Sequence, residues 1–100
     1  MLRNHALAVA NVYADLVQKY TIKEFKIEPV LGSVRPDAIF YYLDANTPHI
    51  GMLEVELSHK KANFIKYQNF LRNGEAKANG FTKFTLFVCQ NGELKEYPIQ

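Results

Sequence analysis

The run FTLFVC over residues 84–89 constrains the fold more than any other stretch of this chain. Successive side chains of a β-strand point to opposite faces, so a strand covered on one side alternates apolar with polar residues. Here Phe84, Leu86 and Val88 share one face, while Phe87 and Cys89 take the other. A strand apolar on both faces needs cover on both, which is what helices packed against a sheet provide. Residues 81–90 are therefore read as a central strand of an α/β fold.

The rest of the chain supplies the sheet and the helices. Asn4 can cap a helix reaching about residue 19, with Val9, Val12, Tyr13, Leu16, Val17 and Tyr20 at helical spacing. Residues 23–30 alternate, Phe25 and Ile27 against Glu24, Lys26 and Glu28, as in a half-buried strand closed by Pro29. Gly32-Ser33 supplies a turn, and VRPDAIFYYL at 34–43 reads as a second strand with Pro36 near its start. DANTP at 44–48 reads as a loop and IGMLEVEL at 50–57 as a third strand, completing an antiparallel meander. Ser58 can cap a second helix to about residue 72, stopped by Gly74, with Phe64, Tyr67 and Leu71 as its core face, flanked by Ile65 and Phe70. Asn91-Gly92 is a hairpin signal that returns residues 93–99 as an edge strand. A helix between the third and fourth strands predicts a right-handed crossover and one parallel pair in a mixed sheet. Phe25, Ile39, Phe84, Leu86 and Val88 are expected in the core.

One hundred residues make a single domain, 1–100, and 48% hydrophobic content is enough for a real core. The net charge of +2 permits a nucleic-acid partner without arguing for one. One cysteine, Cys89, excludes an internal disulfide and a multi-cysteine zinc site, and its apolar run marks it as an inert core thiol. No stretch approaches the roughly 20 apolar residues of a membrane span. Asn11 and Asp15 break what would be the apolar part of a signal peptide, so a cytoplasmic location is expected.

The unusual feature is acid inside strands. Glu54 and Glu56 lie two apart and emerge from one face of the third strand, with Leu53, Val55 and Leu57 on the other. Carboxylates in such positions are costly to bury unpaired. Asp37 poses the same problem near the start of the second strand, and antiparallel pairing brings that start beside the end of the third. Asp37, Glu54 and Glu56 are thus expected to share one depression at one end of the sheet. Converging carboxylates repel, which raises their proton affinity until a cation binds. Oxygen ligands favour Mg²⁺ or Mn²⁺ over zinc, and such an ion can hold a phosphate oxygen and activate water. Ion pairs with Lys60, Lys61 or Arg35 would account for the same acids, since ion-pair networks imitate active sites. Lys60, Lys61, Lys66 and Arg72 make the outer side of the second helix basic, either as a solvated face or as one that meets phosphates.

Arg35-Pro36-Asp37, followed by Glu54-Val55-Glu56 in the next strand and then a basic helix, resembles the PD-(D/E)XK nuclease superfamily. The element order is similar to that superfamily's restriction-endonuclease-like αβββαβ core, with a C-terminal edge strand added. A nearer likeness is to the replication-relaxation family of plasmid and mobile-element proteins. It rests on His5-Ala6-Leu7-Ala8-Val9, Val34-Arg35-Pro36-Asp37 and Leu53-Glu54-Val55-Glu56. The resemblance implies Asp37 and Glu54 as metal ligands, with the backbone carbonyl of Val55 as a third. Glu56 stands where the superfamily's motif has its lysine, and Lys60 or Lys61, one turn into the helix, is the expected substitute. His5 falls at the start of the first helix, as a nucleic-acid contact near the acids or an ordinary capping residue. With Arg35 and the helix lysines it completes the expected DNA contacts. The family often carries a winged-helix domain ahead of this region, which points to either a fragment or a stand-alone version.

Three functions follow. The first is a nuclease-like DNA-binding domain of a plasmid, phage or mobile element, with metal-dependent phosphodiester hydrolysis by Asp37, Glu54, Glu56 and Lys60. The second is an inert form of that fold which binds DNA or a replication or mobilisation protein. The third is a small homodimeric interaction module, joined through exposed strand edges or tyrosines.

Overall fold

The structure is a computed structural model that describes residues 3–56 and 64–100, with side chains from residue 6 onward. Its elements are α1 (Arg3–Lys19), β1 (Thr21–Ile27), β2 (Ala38–Asp44), β3 (Thr47–Glu56), α2 (Phe64–Arg72), α3 (Glu75–Ala78), β4 (Phe84–Gln90) and β5 (Glu93–Ile99). The strands lie in the sheet in chain order. β1, β2 and β3 pair antiparallel, β3 and β4 pair parallel, and β4 and β5 pair antiparallel. The chain is therefore α/β, a five-stranded mixed sheet flanked by helices.

Strand parity divides the core into two layers. Val9, Val12 and Leu16 of α1 pack with Phe40, Leu53, Val55 and Phe87 on one face. Tyr67 and Phe70 of α2 and Ala76 of α3 pack with Met52, Phe84, Leu86 and Val88 on the other. β4 feeds both layers, as its doubly apolar sequence requires. Gly51 sits opposite Phe40 in the ladder, and a Cβ there would lie 2.4 Å from the Phe40 ring, so the missing side chain makes room for the ring. The Cys89 thiol is half-buried in the α1 layer, and burial pushes its pKa up, as an unreactive core thiol requires. Among the described residues, no helix is long and apolar enough to cross a membrane.

Several boundaries differ from the sequence reading, each for a local reason. β2 begins at Ala38 rather than residue 34, because Pro36 has no N–H to donate to a ladder. Residues 28–37 instead form an irregular loop, with Glu28 at φ 50° and Gly32 at φ 105°. The loop is pinned where Ser33 donates to Glu75 from its N–H (2.9 Å) and its hydroxyl (2.7 Å). The 44–48 segment is no open loop. Asp44 pairs with Thr47 across Ala45-Asn46, both in the left-handed region, which is the hairpin geometry usually signalled by glycine. α1 starts at Arg3, so Asn4 lies inside its first turn. Tyr13 and Val17 of α1 are exposed, leaving the buried stripe to Val9, Val12, Leu16 and Tyr20. In α2 the buried residues are Tyr67 and Phe70, whereas Ile65 is exposed. Gly74, at φ 80°, ends α2 as expected. The expected Ser58 cap lies outside the described residues.

Candidate metal and nucleic-acid site

Asp37 gets its position from the proline before it. The β2–β3 ladder runs to Ala38 opposite Leu53, and the Asp37 N–H extends it by donating to the Leu53 carbonyl at 2.8 Å. Pro36 ends backbone pairing at that point. The Asp37 carboxylate then takes over, and its Oδ2 accepts the Val55 N–H at 2.7 Å. The side chain thus caps the ladder at the end of β3 where the acids were expected to meet.

Glu54 and Glu56 share parity with Met52, which belongs to the α2 layer, so both project from the α2 side of β3. The Glu54 side chain is only 13% exposed. Tyr67 of α2, itself fully buried, donates its hydroxyl to Glu54 Oε1. Lys66 Nζ lies 3.6 Å from the same oxygen and 5.3 Å from the centre of the Tyr67 ring. Burial holds the Glu54 pKa above its ordinary value, against the opposing pull of Tyr67 and Lys66. Asp37 and Glu56 push it the same way as burial, so the three acids do share a field. Their mutual repulsion raises the Glu54 pKa as expected, but burial is the larger cause. The Tyr67 hydroxyl is raised as well, first by burial and then by Glu54, and so stays a donor.

The three acids lie close enough to act on one another, and Asp37 and Glu54 have different immediate surroundings. Asp37 lines a hollow of about 410 Å³ in the 28–37 loop, together with Glu28 and Arg35. Glu54 does not line that hollow and lies instead beneath α2. Among the described residues, no three His, Cys, Asp or Glu side chains are grouped to hold a metal ion.

No family model, curated protein or solved structure matches this chain.

The other candidates are spread out. Arg35 is exposed one residue before Pro36, and Arg72 is exposed at the end of α2. Lys60 and Lys61 lie outside the described residues. His5 falls in the first turn of α1, the helix on the opposite sheet face from Glu54, and its side chain is likewise not described. Lys66 was expected on the outer side of the helix, solvated or facing phosphates, yet it pairs with Glu54. Tyr67 was expected only as core, and its hydroxyl is the polar group the sequence reading passed over. A signal was there: a buried tyrosine needs a partner for its O–H, and a strand carboxylate under the same helix is the nearest acceptor type.

Oxygen donors of this kind suit Mg²⁺ or Mn²⁺. Magnesium in particular is commonly held by one or two carboxylates plus substrate phosphates, not by a complete protein cage. Asp37 and Glu54 fit that limited requirement in chemistry, with Lys66 as a compensating cation.

Proposed function

We propose that this chain is a nuclease-like DNA-binding domain with a restriction-endonuclease-like core, akin to the replication-relaxation proteins of plasmids and mobile elements. Its acids Asp37 and Glu54, with Glu56 beside them and the Val55 carbonyl as a further oxygen, would hold Mg²⁺ or Mn²⁺. Such an ion, when bound, supplies positive charge to a phosphate oxygen and acidifies a water. The observation that carries this reading is Glu54. It is a largely buried carboxylate in the field of two further acids, and burial disfavours its charge. Sites with that combination are enriched in function. Lys66 takes the position beside Glu54 that Glu56 leaves without a lysine. Lys60, Lys61, Arg35, Arg72 and His5 are the proposed phosphate contacts.

A second reading, an inert nuclease-type module that binds DNA or a replication protein, is favoured by the partners the acids already have. Asp37 accepts the Val55 N–H and Glu54 accepts the Tyr67 hydroxyl. Fluorescence anisotropy with labelled duplex, branched and single-stranded DNA tests binding. Affinity is expected to fall steeply with salt, and replacing Lys60, Lys61 and Lys66 with Ala should flatten the slope by about one for each phosphate no longer neutralised. Cutting is expected only with Mg²⁺ or Mn²⁺, and Glu54→Gln should abolish it while sparing binding. DNA binding without cutting under either metal selects the inert reading. No binding on any of these DNAs removes both.

A further inference from the structure

The apolar face of α1 is wider than the sheet beneath it. Val9, Val12 and Leu16 fill the core, but Tyr13 and Val17 stay 41% and 45% exposed. Tyr13 stands edge-on to Phe25 of β1 at 4.8 Å. Ala6, Ala10, Tyr13, Phe25 and Ile27 line an apolar groove of about 410 Å³ between α1 and β1, and Ile27 is itself 54% exposed. This surplus overhangs the edge of the sheet. Among the described residues, β1 pairs with β2 on one side and with no strand on the other.

An open edge beside uncovered apolar surface is a template for another strand. β1 carries the usual guards against indiscriminate pairing, Lys23, Lys26 and a break in register between Ile22 and Glu24. Of the registers centred on Glu24, Phe25 or Lys26, in the regular part of β1, one satisfies those charges. A second copy laid antiparallel across a two-fold axis keeps each sheet face on its own side, so only residues of equal parity can stand opposite. With Phe25 on the axis, Glu24 faces the partner's Lys26 and Lys26 faces the partner's Glu24. Phe25 and Ile27 then fall on the groove side, next to Tyr13. Moving the axis to Glu24 puts that residue opposite its own copy, and moving it to Lys26 does the same for lysine. Like charges directly opposite are destabilising.

We infer that this chain forms a homodimer through β1, in antiparallel register about Phe25, joining two five-stranded sheets into one and covering the α1–β1 groove of each copy. The inference does not rest on the proposed nuclease-like function, since the edge lies on the outer side of β1 and uses neither Asp37, Glu54 nor Glu56.

The test is sedimentation equilibrium of the full chain and its charge-swapped variants, with circular dichroism to show that each variant folds. The wild type should be dimeric below about 100 μM. Glu24→Lys and Lys26→Glu should each weaken the dimer at least about tenfold, because each creates two like-charge contacts across the axis. An equimolar mixture of the two variants should pair again as a heterodimer, and so should the double variant with itself. Tyr13→Lys, on the helix and outside the strand, should also weaken the dimer. A monomeric wild type at that concentration, undisturbed dimers of both single variants, or a mixture that stays monomeric would each overturn the inference.

Discussion

Tyr67→Phe removes one oxygen from the centre of the molecule and leaves the packing in place. The ring is fully buried and stands edge-on to Phe84 at 6.1 Å, an arrangement that phenylalanine keeps. What is lost is the hydroxyl that serves Glu54, a carboxylate only 13% exposed. A hydrogen bond to a charged group is worth about 1.5–3 kcal/mol, and Lys66 offsets only part of the loss because it is already beside the same oxygen. For a domain of this size, about 2 kcal/mol lowers Tm by roughly 8–16 °C. The cost should depend on pH. The Tyr67 bond favours ionised Glu54, so its full contribution appears above the folded pKa of Glu54 and is lost as pH falls through it. Below that pKa the pair is neutral and the cost drops to about 0.5–1.5 kcal/mol. Urea denaturation followed by circular dichroism at about pH 8 and about pH 4 measures both values. A cost equal at the two pH values, or below about 0.5 kcal/mol at the higher one, would refute the assignment of Tyr67 as the group that holds Glu54.

Leu86→Ala, at a fully buried position of β4, should cost about 2–5 kcal/mol in the same assay, and a loss under about 1 kcal/mol would mean that β4 is not central. Asp37→Ala should cost about 1–3 kcal/mol, because the Val55 N–H loses its carboxylate, while Asp37→Asn keeps an oxygen there and should cost less. Equal stability of wild type and Asp37→Ala would instead mean that relief of carboxylate repulsion balances the lost hydrogen bond. Glu54→Gln should match or exceed wild type at neutral pH. The wild-type carboxyl has a folded pKa above its ordinary 4.5, so wild type loses stability as pH rises through that range, whereas the amide does not. The gap between the two should close below about pH 4.5, and a variant that is instead weaker at neutral pH would contradict the direction of the shift.

The architecture was legible because it rests on period and punctuation. The both-faced run at 84–89, the parity of Leu53 and Val55, and Asn91-Gly92 each have one reading, and strand order, parallel pairing and final hairpin follow from them. The 44–48 turn was missed because Ala45 and Asn46 adopt positive φ without a glycine to announce it. The start of β2 was placed too early because strand composition continues through Val34, whereas the ladder depends on a donor that Pro36 lacks. The face of α1 was drawn too wide, since helical spacing counts apolar residues and cannot say how much of a stripe the sheet is broad enough to cover. The common end of the acids came from the same parity and was legible. Their partners were not. A buried Tyr67 hydroxyl announces its need of an acceptor, but which acid meets Lys66 and Tyr67 depends on the way α2 lies over β3, which no local pattern encodes.

That difference separates the two principal acids. Asp37 has a structural explanation: Pro36 stops the backbone ladder, the Val55 N–H needs an acceptor, and a carboxylate one residue after the proline reaches it. An acid at that place serves the fold through this hydrogen bond. Glu54 has no such account. Its strand pairing uses backbone groups, its neighbours Met52 and Val88 are apolar, and its burial opposes its charge. An apolar side chain of similar size, with phenylalanine at 67, would fill the same space without a desolvation cost, as replacement of buried polar pairs often does. The fold therefore gains from acid at 37 and tolerates it at 54. A group the fold merely tolerates is where function is to be sought, so the chemical reading of this molecule depends on Glu54, with Lys66 and Tyr67 as the residues that keep it in place.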